Sequence, residues 1–241
     1  CLQCGLCSDC RQCERACEAG AIDLDQTVTQ RTIDIGGVVV ASGHKMYDAK
    51  RRGEYGYERY PNVVTSLQFE RLLSASGPTG GQVLRPGDGK EAHRIAFIQC
   101  VGSRDVTDAG NEYCSGVCCM YATKAAMIAM EHAEGAEVSV FMIDMRAHGK
   151  GYEAYYNRAQ SLGVRYVRSM VSAVRNNFDT GDLKLEYAGP DGKNIAEEFD
   201  MVVLSTGLEC HSDAKEIAGI LGVELDEYGF IVGGAGNPVA T

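Results

Sequence analysis

The sequence is short of positive charge. Its 241 residues carry 23 lysines and arginines against 33 aspartates and glutamates, a formal net charge of −10. Non-specific binding to nucleic acid needs a basic face, so nucleic acid is excluded as a partner. Long apolar runs are also missing. None approaches the roughly 18 residues of a membrane span, and no secretory leader is visible. The chain is therefore expected not to be transmembrane itself. Internal repeats and low-complexity segments are absent. The chain opens on Cys1 rather than methionine and closes on Thr241 in mid-phrase, which reads as a piece of a longer protein.

Against these absences stand a 45% hydrophobic content and 11 cysteines, unevenly placed. Six lie in residues 1–17, four in residues 100–119, and Cys210 stands alone. A disulfide framework suits small secreted chains. Without secretory features, and with spacings that fit metal sites, the thiols read better as ligands.

"CLQCGLCSDCRQCERACEAGAI" holds the first group. Cys7, Cys10, Cys13 and Cys17 have the bacterial ferredoxin spacing C-x2-C-x2-C-x3-C, which wraps thiolates around an iron–sulfur cube. Glu18 stands where such motifs usually have proline. Zinc is the rival, but zinc ribbons separate their C-x2-C pairs by a dozen or more residues. Cys1 and Cys4 are surplus to one cube. They remain open as extra ligands or spare thiols, and Cys17 could be exchanged for another ligand.

The second group, Cys100, Cys114, Cys118 and Cys119, reads C-x13-C-x3-C-C. Cys100 ends the β-type run "HRIAFIQC", and Cys114 sits in a polar loop. The adjacent pair opens a helix predicted over Cys118–Ala133 and stopped by Gly135. At a helix start the backbone is only half helical, so consecutive side chains can converge on one object. Free N–H groups and the partial positive charge there favour thiolates and an anionic cluster. The plain alternative is a pair of buried thiols in a packed helix start.

Further predicted elements are a strand over Thr32–Ala41, a helix over Leu67–Ala75, and strands over Arg94–Gln99 and Glu137–Ile143. A helix over Tyr152–Leu162, a strand over Val164–Arg168, and short strands joined by Gly and Asp turns complete the reading. This alternation predicts an α/β protein with a parallel sheet and crossover helices. The Gly/Pro-rich stretch Ser76–Gly89 reads as a loop and a border between subdomains. Arg146, His148 and Lys150 follow a strand end and read as a solvated loop, with a partner or nucleotide surface as the alternative. Cys210 and His211 read as structural.

"RIAFIQCVGSRD", "EYCSGVCCMYATKAAMIAME" and "VFMIDMRAHGKGYEAYYNRAQSLGVRYVRS" closely resemble the A subunit of heterodisulfide reductase. That flavin and iron–sulfur family includes subunits of quinone-interacting oxidoreductase complexes. The resemblance implies a thioredoxin-reductase-like FAD/NAD-binding flavoprotein fold with an N-terminal ferredoxin-like iron–sulfur segment. Residues 1–30 would form that segment, and 31–90 part of the FAD-binding domain and linker. Residues 91–208 would form an NAD(P)H-domain-like region with a second cluster, and 209–241 a return towards the FAD domain. It implies a 4Fe–4S cluster on Cys100, Cys114, Cys118 and Cys119 beside FAD. Two strand-closing turns, Ala41–Ser42–Gly43 and Ser205–Thr206–Gly207, would let backbone pass close to the dinucleotide, since glycine lacks a Cβ. The G-x-G-x-x-G phosphate fingerprint is absent, and the resemblance places it before Cys1. Lys124 and Glu70 would stand near the flavin isoalloxazine, where a cation stabilises reduced, anionic flavin. Without the resemblance both read as solvated helix residues.

The function so implied is electron transfer between FAD and 4Fe–4S clusters in a heterodisulfide-reductase-like oxidoreductase complex of anaerobic metabolism, with flavin-based electron bifurcation as its finer form. Implied partners are heterodisulfide reductase B/C-like subunits, hydrogenase or formate dehydrogenase modules, and ferredoxin. The implied location is cytoplasmic, or peripheral to the inner membrane through partners. The alternatives are a non-catalytic ferredoxin-like relay and assembly scaffold, a component of a membrane-associated quinone-interacting complex, and a zinc-binding structural module.

Overall fold

The computed structural model of the protein describes residues 10–233. The chain divides into two compact units, one ending at Ala41 and one beginning at Ser42.

In the first unit the described chain forms one short helix, α1 (Gln12–Ala16). Arg11 precedes it with a left-handed backbone, and its guanidinium pairs with Glu14 and Asp25. The strand expected over Thr32–Ala41 is not formed. Its residues are irregular and solvent-facing, with Ile33, Ile35 and Val39 exposed. Apolar β-branched residues favour a strand only where a neighbouring strand receives their N–H and C=O groups. None of the described strands pairs with this segment.

The second unit is built on a five-stranded parallel sheet. Its members are β2 (Val63–Thr65), β3 (Arg94–Val101), β4 (Glu137–Met142), β5 (Arg165–Arg168) and β9 (Met201–Thr206), in the order β2-β9-β3-β4-β5. The central strands are near-continuous apolar runs, as expected of strands covered on both faces. One face packs on the helices α2 (Ser66–Leu73), α3 (Cys118–His132) and α4 (Tyr152–Ser161). Phe69 of α2 and Phe97 of β3 meet there edge to face at 5.4 Å, both fully buried. The helices dock through small side chains, with Ala122, Ala126 and Ala129 of α3 at 0% exposure in this core. The other face is covered by an antiparallel sheet of β6 (Val171–Asn176), β7 (Leu183–Ala188) and β8 (Asn194–Phe199), whose alternate residues Leu183, Leu185 and Tyr187 point inward.

Most expected elements of this unit are found within two residues of their predicted ends. The chain on both sides of Ser76–Gly89 enters the same parallel sheet, because β2 pairs with β9. A two-stranded ribbon, β1 (His44–Met46) with β10 (Leu208–Cys210), and a last helix, α5 (Ala214–Leu221), complete the unit.

Candidate metal centre and adjoining cleft

Three separate elements deliver the second cysteine group to the carboxyl edge of the parallel sheet. Cys100 lies where the pairing of β3 with β9 slips between Ile98 and Val101. Its φ of 59° is in the left-handed region. A bulge of this kind redirects a side chain that regular pleating would aim elsewhere, and a left-handed non-glycine residue marks a locally imposed geometry. Cys114 is in the loop before α3, where its sulfur accepts the Gly116 N–H at 3.4 Å. Cys118 and Cys119 are the first two residues of α3, whose N-cap, Val117, supplies no side-chain cap. The Arg146 N–H donates to the Cys119 sulfur at 3.4 Å. The Cys118 thiol donates to the Thr206 carbonyl at 3.7 Å.

The quartet is electrostatically coupled. Burial pushes the Cys100 thiol up to about 11, and the charges of Cys119 and Cys114 add to that rise while Arg104 opposes it. Burial likewise pushes Cys118 up to about 12, with Cys100, Cys119 and Cys114 adding to the rise. Cys119 is also raised, chiefly by burial and against the Arg146 N–H. A buried thiol so far above its ordinary value of 9.0 binds metal only by releasing its proton. Without metal, the raised values stabilise the fold fully below about pH 9, and that contribution is lost as pH rises through about 11 to 12. Metal-free protein should therefore show a lower denaturation midpoint at about pH 10.5 than at about pH 8. Equal midpoints would show that the thiols are not held in their neutral form.

The described sulfurs are spaced more widely than the ligands of one ion. Four thiolates on a single zinc would stand about 3.8 Å apart, given a Zn–S bond of about 2.3 Å. Among the described residues no three cysteine sulfurs lie mutually within 4.8 Å. Backbone N–H groups aimed at sulfur are the outer contacts an iron–sulfur core uses. Beside the quartet, Arg104 has its own left-handed backbone, with φ 56°. It grips Asp144 through two bonds of 2.6 and 3.1 Å. That pairing, with Arg146 adding to it, holds the Asp144 carboxyl below its ordinary range. In dinucleotide folds an acidic residue near this strand end binds the ribose. Here Asp144 is occupied by the two arginines, and Cys100 stands where a glycine turn would open. The Arg104–Asp144 clamp left no trace in the sequence pattern. Only an approach across 40 residues reveals it.

Lys124 and Glu70 are brought together. Lys124 Nζ and Glu70 Oε1 lie 3.2 Å apart across α3 and α2, on the wall of an open cleft of about 550 Å³. Leu67, Leu73, Ala125 and Ile128 give the cleft apolar sides, and the Tyr121 ring lines it near the thiols. Both ionic side chains are more than half exposed, so the pair contributes about 1 kcal/mol or less. Glu70→Gln should therefore shift thermal stability by no more than that, and a loss above about 2 kcal/mol would mark the pair as structural.

The glycine turns behave differently from one another. A Cβ at Gly207 would collide with the Ser103 hydroxyl, which shares a 2.7 Å hydrogen bond with Ser115. Packing within the protein accounts for that glycine. Ser205 and Thr206 are wholly buried. Gly43 has φ 78° with open space around it, and Ala41 and Ser42 are exposed. In the first unit, Cys13 lies within α1 and Cys17 caps it, with the Cys17 sulfur accepting the Ala21 N–H at 3.4 Å. Cys10 and Cys13 are exposed and Cys17 is half-buried. Cys1, Cys4 and Cys7 lie outside the described residues. All eight described cysteines are free thiols, so a disulfide framework is absent among them. Arg146 serves the thiol site through its backbone, and Cys210 donates to the Gly229 carbonyl at 2.8 Å.

Fold and site define a class: a parallel α/β scaffold with a cysteine quartet at the carboxyl edge of its sheet and a cleft beside it. Comparison with known proteins finds the following relatives of the chain. It is 42% identical over 232 residues to the iron-sulfur A subunit of the CoB–CoM heterodisulfide reductase of Methanocaldococcus jannaschii, covering 95% of this chain and 34% of that protein. It is 40% identical over 230 residues to the A subunit of the H2:CoB–CoM heterodisulfide,ferredoxin reductase of Methanothermobacter marburgensis, covering 94% and 34%. The corresponding A subunit of the H2/formate-named reductase of Methanococcus maripaludis is 42% identical over 214 residues, covering 88% and 32%. Over nearly its whole length the chain is similar to heterodisulfide reductase A subunits, and it spans about a third of the length of these relatives. No family model matches it. Among solved structures it is similar to Lactococcus lactis thioredoxin reductase (TM-score 0.42, 13% identity, 85% of this chain and 49% of that one). It is also similar to Pseudomonas syringae L-lysine 6-monooxygenase (TM-score 0.43, 12% identity, 70% and 46%).

Proposed function

We propose that this chain is the electron-handling core of an iron–sulfur flavoprotein that works within a heterodisulfide-reductase-like complex. The observation that supports this most directly is the meeting of four thiols from a bulged strand, a loop and a helix start, with backbone N–H groups on two of the sulfurs. Cys100, Cys114, Cys118 and Cys119 would hold a 4Fe–4S cluster. Cys7, Cys10, Cys13 and Cys17 would hold another, with Cys1 and Cys4 as additional donors. The word "iron-sulfur" in the name of the M. jannaschii relative accords with both. When bound, such clusters supply single-electron capacity and FAD supplies two-electron capacity.

The residues of the chain set the terms. The N–H donors of Gly116 and Arg146 favour negative charge on their sulfurs. Arg104 offsets charge near Cys100 and Cys114. The cleft beside α3 has room and apolar walls for a planar ring. Lys124 would place its cation against the ring and favour the reduced form, with Glu70 orienting it. These two are the residues we assign to the chemistry. Ala41–Ser42–Gly43 and Ser205–Thr206–Gly207 are assigned to the backbone of the flavin site.

The M. marburgensis relative's name couples H2 to two acceptors, a heterodisulfide and ferredoxin. One donor serving two acceptors is the pattern of flavin-based electron bifurcation, and we place the chain in that reaction. Its partners would be the companion subunits, a hydrogenase or formate dehydrogenase module, and ferredoxin. Among the described residues no helix is long and apolar enough to cross a membrane, in keeping with a cytoplasmic place or peripheral attachment through partners.

An anaerobic count of iron, acid-labile sulfide and flavin on the full-length protein tests the reading. Iron and sulfide in equal amounts with flavin absorbance are expected. Clusters without flavin would leave a relay or scaffold, and zinc without sulfide would leave a structural module.

A further inference from the structure

One side chain belongs to both the cleft and the thiol site. Tyr121 lies one turn into α3. Its ring lines the cleft, while its hydroxyl donates to the Thr206 carbonyl at 2.8 Å. That carbonyl is the same acceptor used by the Cys118 thiol at 3.7 Å. Two donors on one oxygen bring the phenol and the thiol to a shared carbonyl. Around this point the sheet carries polar groups with nothing to bond. Ser205 Oγ, at 0% exposure and one residue before the carbonyl that the phenol bonds, has no partner among the described residues. Gln99, at 4% exposure and next to Cys100, has neither amide atom paired. Buried polar groups are nearly always satisfied. Orphans concentrated at one strand end therefore point to contacts made when the site is charged and filled.

We propose that Tyr121 is a positioning residue that couples the cleft to the thiol quartet, its hydroxyl turning from the Thr206 carbonyl to the Cys118 sulfur when that sulfur is a metal-bound thiolate. The inference rests on the reading of the quartet as a metal core. The phenol has one proton, which can take either of two orientations in the ring plane. A charged acceptor draws a hydrogen bond about twice as strong as a neutral one, so thiolate sulfur outcompetes the carbonyl. Ser205 then donates to the phenol oxygen, which makes the phenol a better donor through cooperativity. One O–H···O bond is exchanged for one O–H···S bond, and neither an electron nor a proton is transferred. The consequence is a sulfur whose negative charge is better tolerated, and hence a site more easily reduced. The ring holding that hydroxyl is in turn packed against whatever occupies the cleft.

The test uses the full-length protein, anaerobically purified, with Tyr121→Phe and Ser205→Ala variants. The readouts are iron and sulfide content, the midpoint potential from EPR-monitored titration, and exchangeable-proton ENDOR after transfer to D2O. Tyr121→Phe is expected to keep its iron and sulfide and to lose one exchangeable proton coupling. Its reduction equilibrium should move several-fold, up to about tenfold, towards the oxidised form, the tenfold limit being 59 mV for one electron. Ser205→Ala should shift it less, in the same direction. Wild-type couplings and potential in iron-replete Tyr121→Phe would overturn the proposal. So would loss of iron in Tyr121→Phe with an unshifted Ser205→Ala, because Tyr121 would then merely hold the site together. A wild-type protein without iron overturns the metal reading itself, and that result is visible before any variant is compared.

Discussion

Cys119→Ala in the full-length protein should lose about four irons and four sulfides per chain, the content of one cube. The expectation follows from where the thiol stands. It is the second residue of α3, its sulfur is capped by the Arg146 N–H, and three other thiols share its electrostatic environment. Alanine keeps the helix start and fills most of the space, so the fold should lose only on the order of 1 kcal/mol. What it removes is one corner of the donor set and the acceptor of the Arg146 N–H. Cys210→Ala is the matched control. That thiol bonds the Gly229 carbonyl and none of the quartet, so iron and sulfide should stay at wild-type levels. Elemental analysis and sulfide assay on both variants decide the matter. An unchanged count in Cys119→Ala would remove this cysteine from the site.

Gly102→Ala should be strongly damaging to the fold of the second unit. Gly102 has φ 79°, a region that costs an L-residue about 1–2 kcal/mol. A Cβ there would also be driven into the ring of Tyr47, which is 2% exposed and packed in the core beneath the antiparallel sheet. A buried ring has nowhere to move, so the two penalties together should reach about 3–5 kcal/mol. Because Gly102 is two residues from Cys100, and its carbonyl accepts the Asn111 N–H, the metal content should fall with the stability. Urea denaturation of the metal-free variant separates the effects. A loss below about 1 kcal/mol would show that Tyr47 yields readily.

The alternation from β3 to β5 was legible because each strand is a short apolar run and each helix a longer run ended by Gly135 or Gly163. The second cysteine group was marked out by its crowding into residues 100–119 and by the strand end, loop and helix start on which its members fall. What could not be read is how Cys100 comes to face the others. That depends on a slipped register between two strands far apart in the chain, and on a backbone turn that cysteine does not announce. The Thr32–Ala41 segment failed as a strand for the opposite reason. Its composition favours β-structure, but a strand needs a neighbour, and pairing is a property of the whole sheet. Without the family resemblance, Lys124 and Glu70 read as two ordinary solvated charges. Only the packing of α2 on α3 turns them into a pair at the mouth of a cleft. At Gly207 the strand-end turn suggested a backbone that passes close to a dinucleotide, and the Ser103 hydroxyl adds a packing demand for glycine that the sequence did not show.

The most direct measurement is anomalous diffraction at the iron edge from anaerobically grown crystals of the full-length protein. A compact group of iron peaks bonded by the sulfurs of Cys100, Cys114, Cys118 and Cys119 is expected. A lone zinc peak, or no metal within bonding distance of those four sulfurs, would contradict it.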